Sequence, residues 1–315
     1  MEPVTVNKLQ PIFIGGCGRS GTTMLASMLG VNNQVIVTPE SQFKIELPTP
    51  NSFDIEKLVK WLRSNKRFAA WNMNLDSARY KSQNASYSQQ EFMNWLVWEF
   101  AHQTMSEGDY KYWVDHTPLN ILTYEKLFKI YPEAKIVNLV RDGRAVASSV
   151  LPLDWGPTTI LGASDFWRES IVEGANAENM YPDNVMRVHY ESLLLNTEET
   201  LEKLCLWLGI TFSPDMCSSS GFAVPSVTKK QHALVGKGVD KSRLSAWRNK
   251  LTAREIECFE AECSEMLIRF GYELENSHPR KASLLNKLWF SIDGKIKKKR
   301  QRAKYRKRLI AGEDS

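Results

Sequence analysis

The stretch Pro11-Ile-Phe-Ile-Gly-Gly-Cys-Gly-Arg-Ser-Gly-Thr-Thr23 constrains the chain more than any other. An apolar run ends in a glycine-rich turn, and Met24 to Leu29 behind it reads as a helix. Glycines let the backbone turn tightly enough to aim several N–H groups inward, and the following helix adds the positive end of its dipole. Such a corner is built to hold an anion, or else it merely joins a strand to a helix. Gly16 and Gly21 have the G-x-x-x-x-G spacing of a nucleoside-triphosphatase loop, but Thr22 stands where that loop carries its lysine. Arg19 instead offers a planar guanidinium fork suited to a phosphate, and Thr22 and Thr23 add hydroxyl donors.

Further along, Gln34 to Thr38 is a short β-branched run that reads as the second strand of a parallel sheet. Ligands of such sheets sit beyond the carboxyl ends of the strands, so Glu40 faces the same crevice as the glycine turn or stands as a solvated loop carboxylate. From about Lys44 to Asp109 the pattern is that of a helical insertion. Ser88 with Glu91 makes a capping box, and Phe92, Trp95, Leu96 and Trp98 follow on a helix. These aromatics read mostly as core, although Trp61, Trp71, Trp95, Trp98 and Trp113 cannot be ranked as core or acceptor pocket.

Tyr112 to His116 is the next strand candidate, stopped by Thr117-Pro118 and followed by a helix from Leu119 to Tyr131. Lys135 to Val140 reads as a further parallel strand, apolar enough for the centre of the sheet. It runs into Arg141-Asp-Gly-Arg144 and a small-residue helix through Ser149, a second anion corner of the same design with Arg141 and Ser149 on one side. A helix from Gly162 to Tyr181, another strand from Asn184 to Tyr190 and a helix from Glu191 to Leu208 continue the alternation. Residues Ser218 to Asp240 read as a mobile loop able to fold over a ligand, and Arg254 to Phe270 as a final amphipathic helix. The expected fold is therefore α/β, a three-layer P-loop-type architecture with a central, mainly parallel sheet flanked by helices.

Charge has to be read by region. Ten of the 41 Lys and Arg residues lie between Lys295 and Arg308 without an acidic residue among them, which leaves 31 basic against 36 acidic elsewhere, a balance of −5. The body is mildly acidic with a basic tail, so its overall charge gives no general nucleic-acid surface. Five cysteines lack metal-ligand spacing and are expected as free thiols. Neither a long apolar run nor an apolar leader is present, which sets a cytoplasmic expectation, peripheral to a membrane if the tail holds one.

The two corners, Gly-Cys-Gly-Arg19-Ser-Gly-Thr-Thr23 and Val-Arg141-Asp-Gly-Arg-Ala-Val-Ala-Ser-Ser149, stand in an order and at a separation that resemble those of PAPS-dependent sulfotransferases. The wording is most similar to the branch containing tyrosylprotein sulfotransferases and bacterial relatives. The resemblance spans roughly Ile12 to Gly271, within a domain over 1–275; the insertion and the tail at 276–315 fall outside it. It implies 3′-phosphoadenosine 5′-phosphosulfate (PAPS) as donor and no metal. Gly18, Arg19, Ser20, Gly21, Thr22 and Thr23 would hold the 5′-phosphosulfate, Arg141 and Ser149 the 3′-phosphate, and Tyr190 would lie near the adenosine.

That branch carries a catalytic glutamate 21 residues after the loop arginine, which selects Glu40. It also commonly has Asp-Lys-Thr-Pro where this chain has Asp115-His116-Thr117-Pro118. His116 thus replaces the lysine expected to neutralise the leaving oxygen, and more distant relatives use a histidine as base. Glu40 and His116 both stand as candidate bases, with Arg19 as the charge-stabilising group. Lys237 is the candidate to close on the 3′-phosphate, with Lys229, Lys230 and Lys241 equally reachable.

Two rival readings remain. A P-loop kinase or NTPase would need the missing lysine and a magnesium partner, for which Asp115 is the tempting candidate. A non-catalytic module would work through Lys295 to Arg308, on anionic lipid or nucleic acid. The acceptor is a hydroxyl compound of unspecified kind: tyrosyl peptide, glycan, lipid or small alcohol. A cytoplasmic setting argues against a secretory tyrosine.

Overall fold

A computed structural model describes residues 9–48, 55–75, 88–105, 108–218, 221 and 241–310. Its centre is a five-stranded sheet of β1 (Gln10–Gly16), β2 (Val35–Val37), β3 (Tyr112–Asp115), β4 (Lys135–Val140) and β5 (Val185–His189). The order is β2-β3-β1-β4-β5 and every pairing is parallel. The middle place belongs to β1 rather than β4, because the chain leaves β1 toward one edge, returns through β3, and then crosses to the other side.

Strand alternation sends residues to two cores. Phe13, Ile36, Trp113 and Ile136 face one layer, whereas Ile12, Ile14, Val35, Val114, Val137, Leu139 and Val188 face the other. On the first face pack α2 (Ile55–Ser64), α3 (Lys66–Ala69), α4 (Gln89–Thr104) and α5 (Tyr124–Ile130). The expected capping box opens α4, with the Glu91 amide donating to Ser88 and the Ser88 amide to Glu91. Trp71, Trp95 and Trp113 are wholly buried core, while Trp61 and Trp98 are partly buried against it.

The opposite face carries α1 (Thr22–Leu29), α8 (Tyr190–Leu195) and α9 (Thr197–Leu208). A third cluster joins α6 (Gly143–Val150), α7 (Ile160–Met180) and α10 (Ala253–Arg269). Three helix expectations need correction. The segment after Pro118 begins as a 3₁₀ turn over Pro118–Thr123 before α5, because Asn120 is drawn inward to bond the Ile14 and Asp115 carbonyls. The span Glu191 to Leu208 breaks in two at Asn196, whose φ of −131° and ψ of 55° lie outside the helical region. Nor is α10 the last helix: α11 (Leu284–Ile310) follows it and contains the basic run.

Candidate active site

The sheet order explains why the chemistry-bearing residues meet. Because every pairing is parallel, the carboxyl ends of all five strands open on one rim, and the reversal of strand order around β1 makes a crevice there, where doubly wound sheets bind ligands. Glu40 follows β2, His116 follows β3, the glycine turn follows β1, Arg141 follows β4 and Tyr190 follows β5.

The glycine turn is held in a shape few sequences tolerate. Arg19 has φ 75° and Gly21 φ 102°, and a Cβ on Gly21 would lie 2.7 Å from the Tyr190 ring. The Ser20 amide is used inside the turn, on the Cys17 carbonyl at 3.1 Å. Helix α1 starts at once afterwards, with no side chain capping it. Its first amides are therefore left for something outside the helix. Ser20 points the same way: the residue is fully buried and its Oγ has no hydrogen-bond partner among the described residues. A buried hydroxyl without a partner is costly, and an anion oxygen would satisfy it.

Arg19 and Arg141 open onto one cleft. Arg141 Nη1 donates to the Arg19 carbonyl at 2.9 Å, and its guanidinium carbon lies 4.2 Å from the Tyr190 ring centre. Arg19 Nε donates to Ser149 Oγ at 3.2 Å. A further guanidinium, Arg243 from the turn Lys241–Leu244, is close enough to act on Arg19. Burial, then Arg141, then Arg243 push the Arg19 pKa down, with Glu40 and Tyr190 opposing. Like charges gathered in this way fit an anionic guest, whose arrival turns their repulsion into attraction.

The second corner departs from the expected design. Asp142 caps α6 itself, accepting from the Arg144 amide at 2.9 Å, and Arg144 is buried between Asp142 and Glu260. Here one amide of the first turn is already taken by a side chain of the chain itself, and the corner also offers the side chains of Arg141 and Ser149. Arg144 holds the fold, stacked 4.3 Å over Trp247.

At the ends of β2 and β3 lies a buried polar cluster. Asp115 accepts from Lys44 Nζ at 3.1 Å, from the Ser41 amide at 2.7 Å, from the Thr117 amide at 3.1 Å and from Asn120 Nδ2 at 2.8 Å. Burial opposes its ionisation, yet Lys44, Ser41, Asn120 and His116 together hold it well below the usual carboxylate range. Its oxygens are thus committed to anchoring the chain after β2, which removes the magnesium partner that the kinase reading required. Lys44 is equally committed, since its Nζ also donates to Asn120 at 2.6 Å.

The two candidate bases are tuned in opposite directions. Burial, then the Asp115 carboxylate, raise Glu40 to about 7, against the pull of Arg67, Lys44 and Gln42. His116 is pushed down to about 4 by burial, despite Asp115, and its Nδ1 sits 3.4 Å from Thr23 Oγ1. Burial thus favours the neutral imidazole over the cation that would stand in for the lysine, and the ring lies beside the start of α1.

Gly18 to Thr23, Glu40, His116, Arg141, Ser149 and Tyr190 are brought together at this rim, whereas Lys229, Lys230, Lys237 and nearly all of the 218–240 loop lie outside the described residues. Sequence reasoning missed Lys44, counted as the start of the insertion, and Arg243. Asp115 gave a signal for the first, because a carboxylate closing a buried strand requires a partner. Nothing in the sequence singled out Arg243. Beside Gly18 a groove of about 730 Å3 opens past Trp155 and Phe166, bounded also by Arg168 and Glu169.

Fold and rim together define the class: a P-loop-type α/β protein whose glycine turn has exchanged the nucleotidase lysine for arginine. The Sulfotransferase family model matches residues 11–214, and the chain belongs to that family. Protein-tyrosine sulfotransferase 1 of Danio rerio is 28% identical over 292 residues, covering 88% of this chain and 76% of its own length. Nodulation protein NoeE of Sinorhizobium fredii is 23% identical, covering 87% and 69%. Among solved structures, the sulfotransferase domain of the Synechococcus PCC 7002 olefin synthase aligns with a TM-score of 0.61 at 18% identity, over 85% of this chain and 96% of that one. The sulfotransferase domain of the curacin biosynthetic pathway aligns with a TM-score of 0.57, over 84% and 99%. The protein is an enzyme that transfers a sulfuryl group.

Proposed function

We propose that the donor is PAPS, that the acceptor is a hydroxyl, and that Glu40 is the general base. One observation supports this above the others: Arg19, in the glycine turn after β1, and Arg141, at the end of the neighbouring β4, share a cleft, with Arg141 Nη1 donating to the Arg19 carbonyl at 2.9 Å. Such an arrangement suits a nucleotide with phosphates at both its 3′ and 5′ oxygens.

In this reading Gly18, Ser20, Gly21, Thr22 and Thr23 hold the 5′-phosphosulfate through amides and hydroxyls, and Arg19 compensates charge as it develops. Arg141 and Ser149 hold the 3′-phosphate, and the Tyr190 ring supports the nucleoside side. Lys237 or a neighbour would supply a further cation. The donor contributes an activated sulfuryl group: the acceptor oxygen attacks its sulfur in line, forming the new S–O bond as the old one breaks and its bonding pair leaves on the 5′-phosphate. Glu40 takes the acceptor proton. A carboxyl near 7 is matched to proton transfer at neutral pH, whereas an imidazole near 4 is too weak a base there. His116 instead positions Thr23 at the start of α1.

A tyrosyl side chain is one acceptor consistent with the relatives' names, and a glycan, lipid or small alcohol presents the same group. Calorimetric titration with 3′-phosphoadenosine 5′-phosphate and with ATP tests the donor assignment. The bisphosphate should bind tightly and ATP weakly, and Arg141→Ala should weaken the bisphosphate by roughly 10- to 100-fold, the range of a charge-assisted hydrogen-bonded contact. Equal affinity for the two nucleotides would refute it.

A further inference from the structure

Helix α11 has two faces that do different things. Phe290 is buried in the cluster of α6, α7 and α10, Gly294 lies against Thr158 and Thr159, and Gln301 Nε2 donates to the Leu153 carbonyl at 2.5 Å. These three contacts fix the helix to the body along one side. On the other side, Leu284, Leu285, Leu288, Trp289, Ile292 and Ile296 are 47% to 85% exposed.

At about 100° per residue those six side chains fall on one strip about 140° wide, centred opposite Phe290, Gly294 and Gln301. The strip points away from the protein. A stripe of this size on a helix already anchored by its reverse face is unusual for a protein surface in water.

Charge identifies what covers it. At the same 100° per residue Lys295 and Lys299 lie within the strip's angular range, toward and just past its C-terminal end, and Arg300 lies at its edge; all three are exposed, and seven more Lys or Arg residues complete the run to Arg308 without an acid. The acid just before the run, Asp293, is paired with Lys297 at 2.6 Å. Leucine, isoleucine and tryptophan on one strip, with a cationic fringe, match an interfacial helix whose apolar side enters the headgroup boundary while its cations meet anionic lipid. Among the described residues no helix is long and apolar enough to cross a membrane, so the helix would lie in the surface plane.

We propose that α11 docks the enzyme on an anionic membrane surface, with the Leu284 to Ile296 strip inserted and the basic run on the headgroups. Nucleic acid would need the charge without the apolar strip, and a second copy of the chain would need the strip without the charge. The assignment is independent of which nucleotide donates the sulfuryl group.

The test is co-sedimentation of the full chain with vesicles of phosphatidylcholine alone and with phosphatidylserine added. Wild type should bind the anionic vesicles, release as salt rises, and leave neutral vesicles in solution. Leu288→Glu with Trp289→Glu should abolish binding. Lys295→Glu with Lys299→Glu and Arg300→Glu should lower it at least about a hundredfold, since each basic residue near such a surface contributes about fivefold. All of these positions are exposed, and calorimetric binding of 3′-phosphoadenosine 5′-phosphate should be unchanged in both variants, which separates lost docking from lost folding. Failure of wild type to bind anionic vesicles would overturn the proposal. So would equal binding to neutral ones, sedimentation as a dimer that the Leu288 and Trp289 changes dissociate, or tighter binding to a homopolymer RNA that those changes leave intact.

Discussion

Glu40→Gln combined with a pH profile separates the two candidate bases by arithmetic. With a pKa of about 7, Glu40 is ionised in about a tenth of molecules at pH 6 and about nine-tenths at pH 8. If Glu40 takes the acceptor proton, kcat/KM rises about tenfold across that interval and levels off above it. A base near 4, as His116 is, would be fully available throughout and give a flat profile. Glu40→Gln keeps the size and polarity of the side chain but cannot accept the proton, so turnover should fall by roughly 10²- to 10⁴-fold and the rise should vanish. The assay is transfer of labelled sulfate from PAPS to a panel of a tyrosyl peptide, a phenol and a hexose, with bisphosphate binding measured in parallel. A flat wild-type profile, or a Gln variant turning over at the wild-type rate, would refute the assignment.

Other outcomes follow from the same geometry. Asp115→Ala strands Lys44 in the interior and should cost about 3–5 kcal/mol in chemical denaturation, while Lys44→Met with Asp115→Asn should lose much less. Gly21→Ala combines a positive φ with a clash against Tyr190, so bisphosphate affinity should drop more than overall stability, read by calorimetry and thermal melting. His116 is depressed from its ordinary 6.5 to about 4, so as pH falls through that window the unfolded chain takes up the proton first and the native state loses stability. In His116→Gln the drop in Tm between pH 7 and pH 4.5 should be smaller than in wild type.

The corners were legible in the sequence because glycines, hydroxyls and arginines at a strand-to-helix junction have few other uses. Glu40 and Arg141 were legible by register, since each follows a β-branched or apolar strand and parallel strands end on one side, whereas Tyr190 was singled out only through the family resemblance. The Lys44–Asp115 pair was hidden, because 71 residues of sequence separate partners that meet only once β2 and β3 are neighbours. The break at Asn196 was hidden as well, since the leucines on either side keep a helical spacing across it. Opposite tuning of Glu40 and His116 comes from burial, which composition does not record.

Tyr190 touches both halves of the cleft, meeting Gly21 on one corner and Arg141 on the other. In the proposed reading a single ring thereby acts as a spacer between the two gripping points, setting how long a molecule must be to engage both at once. Exchanging it for a smaller side chain would loosen the measure of length itself, so that selection by reach, and not only strength of hold, would be lost.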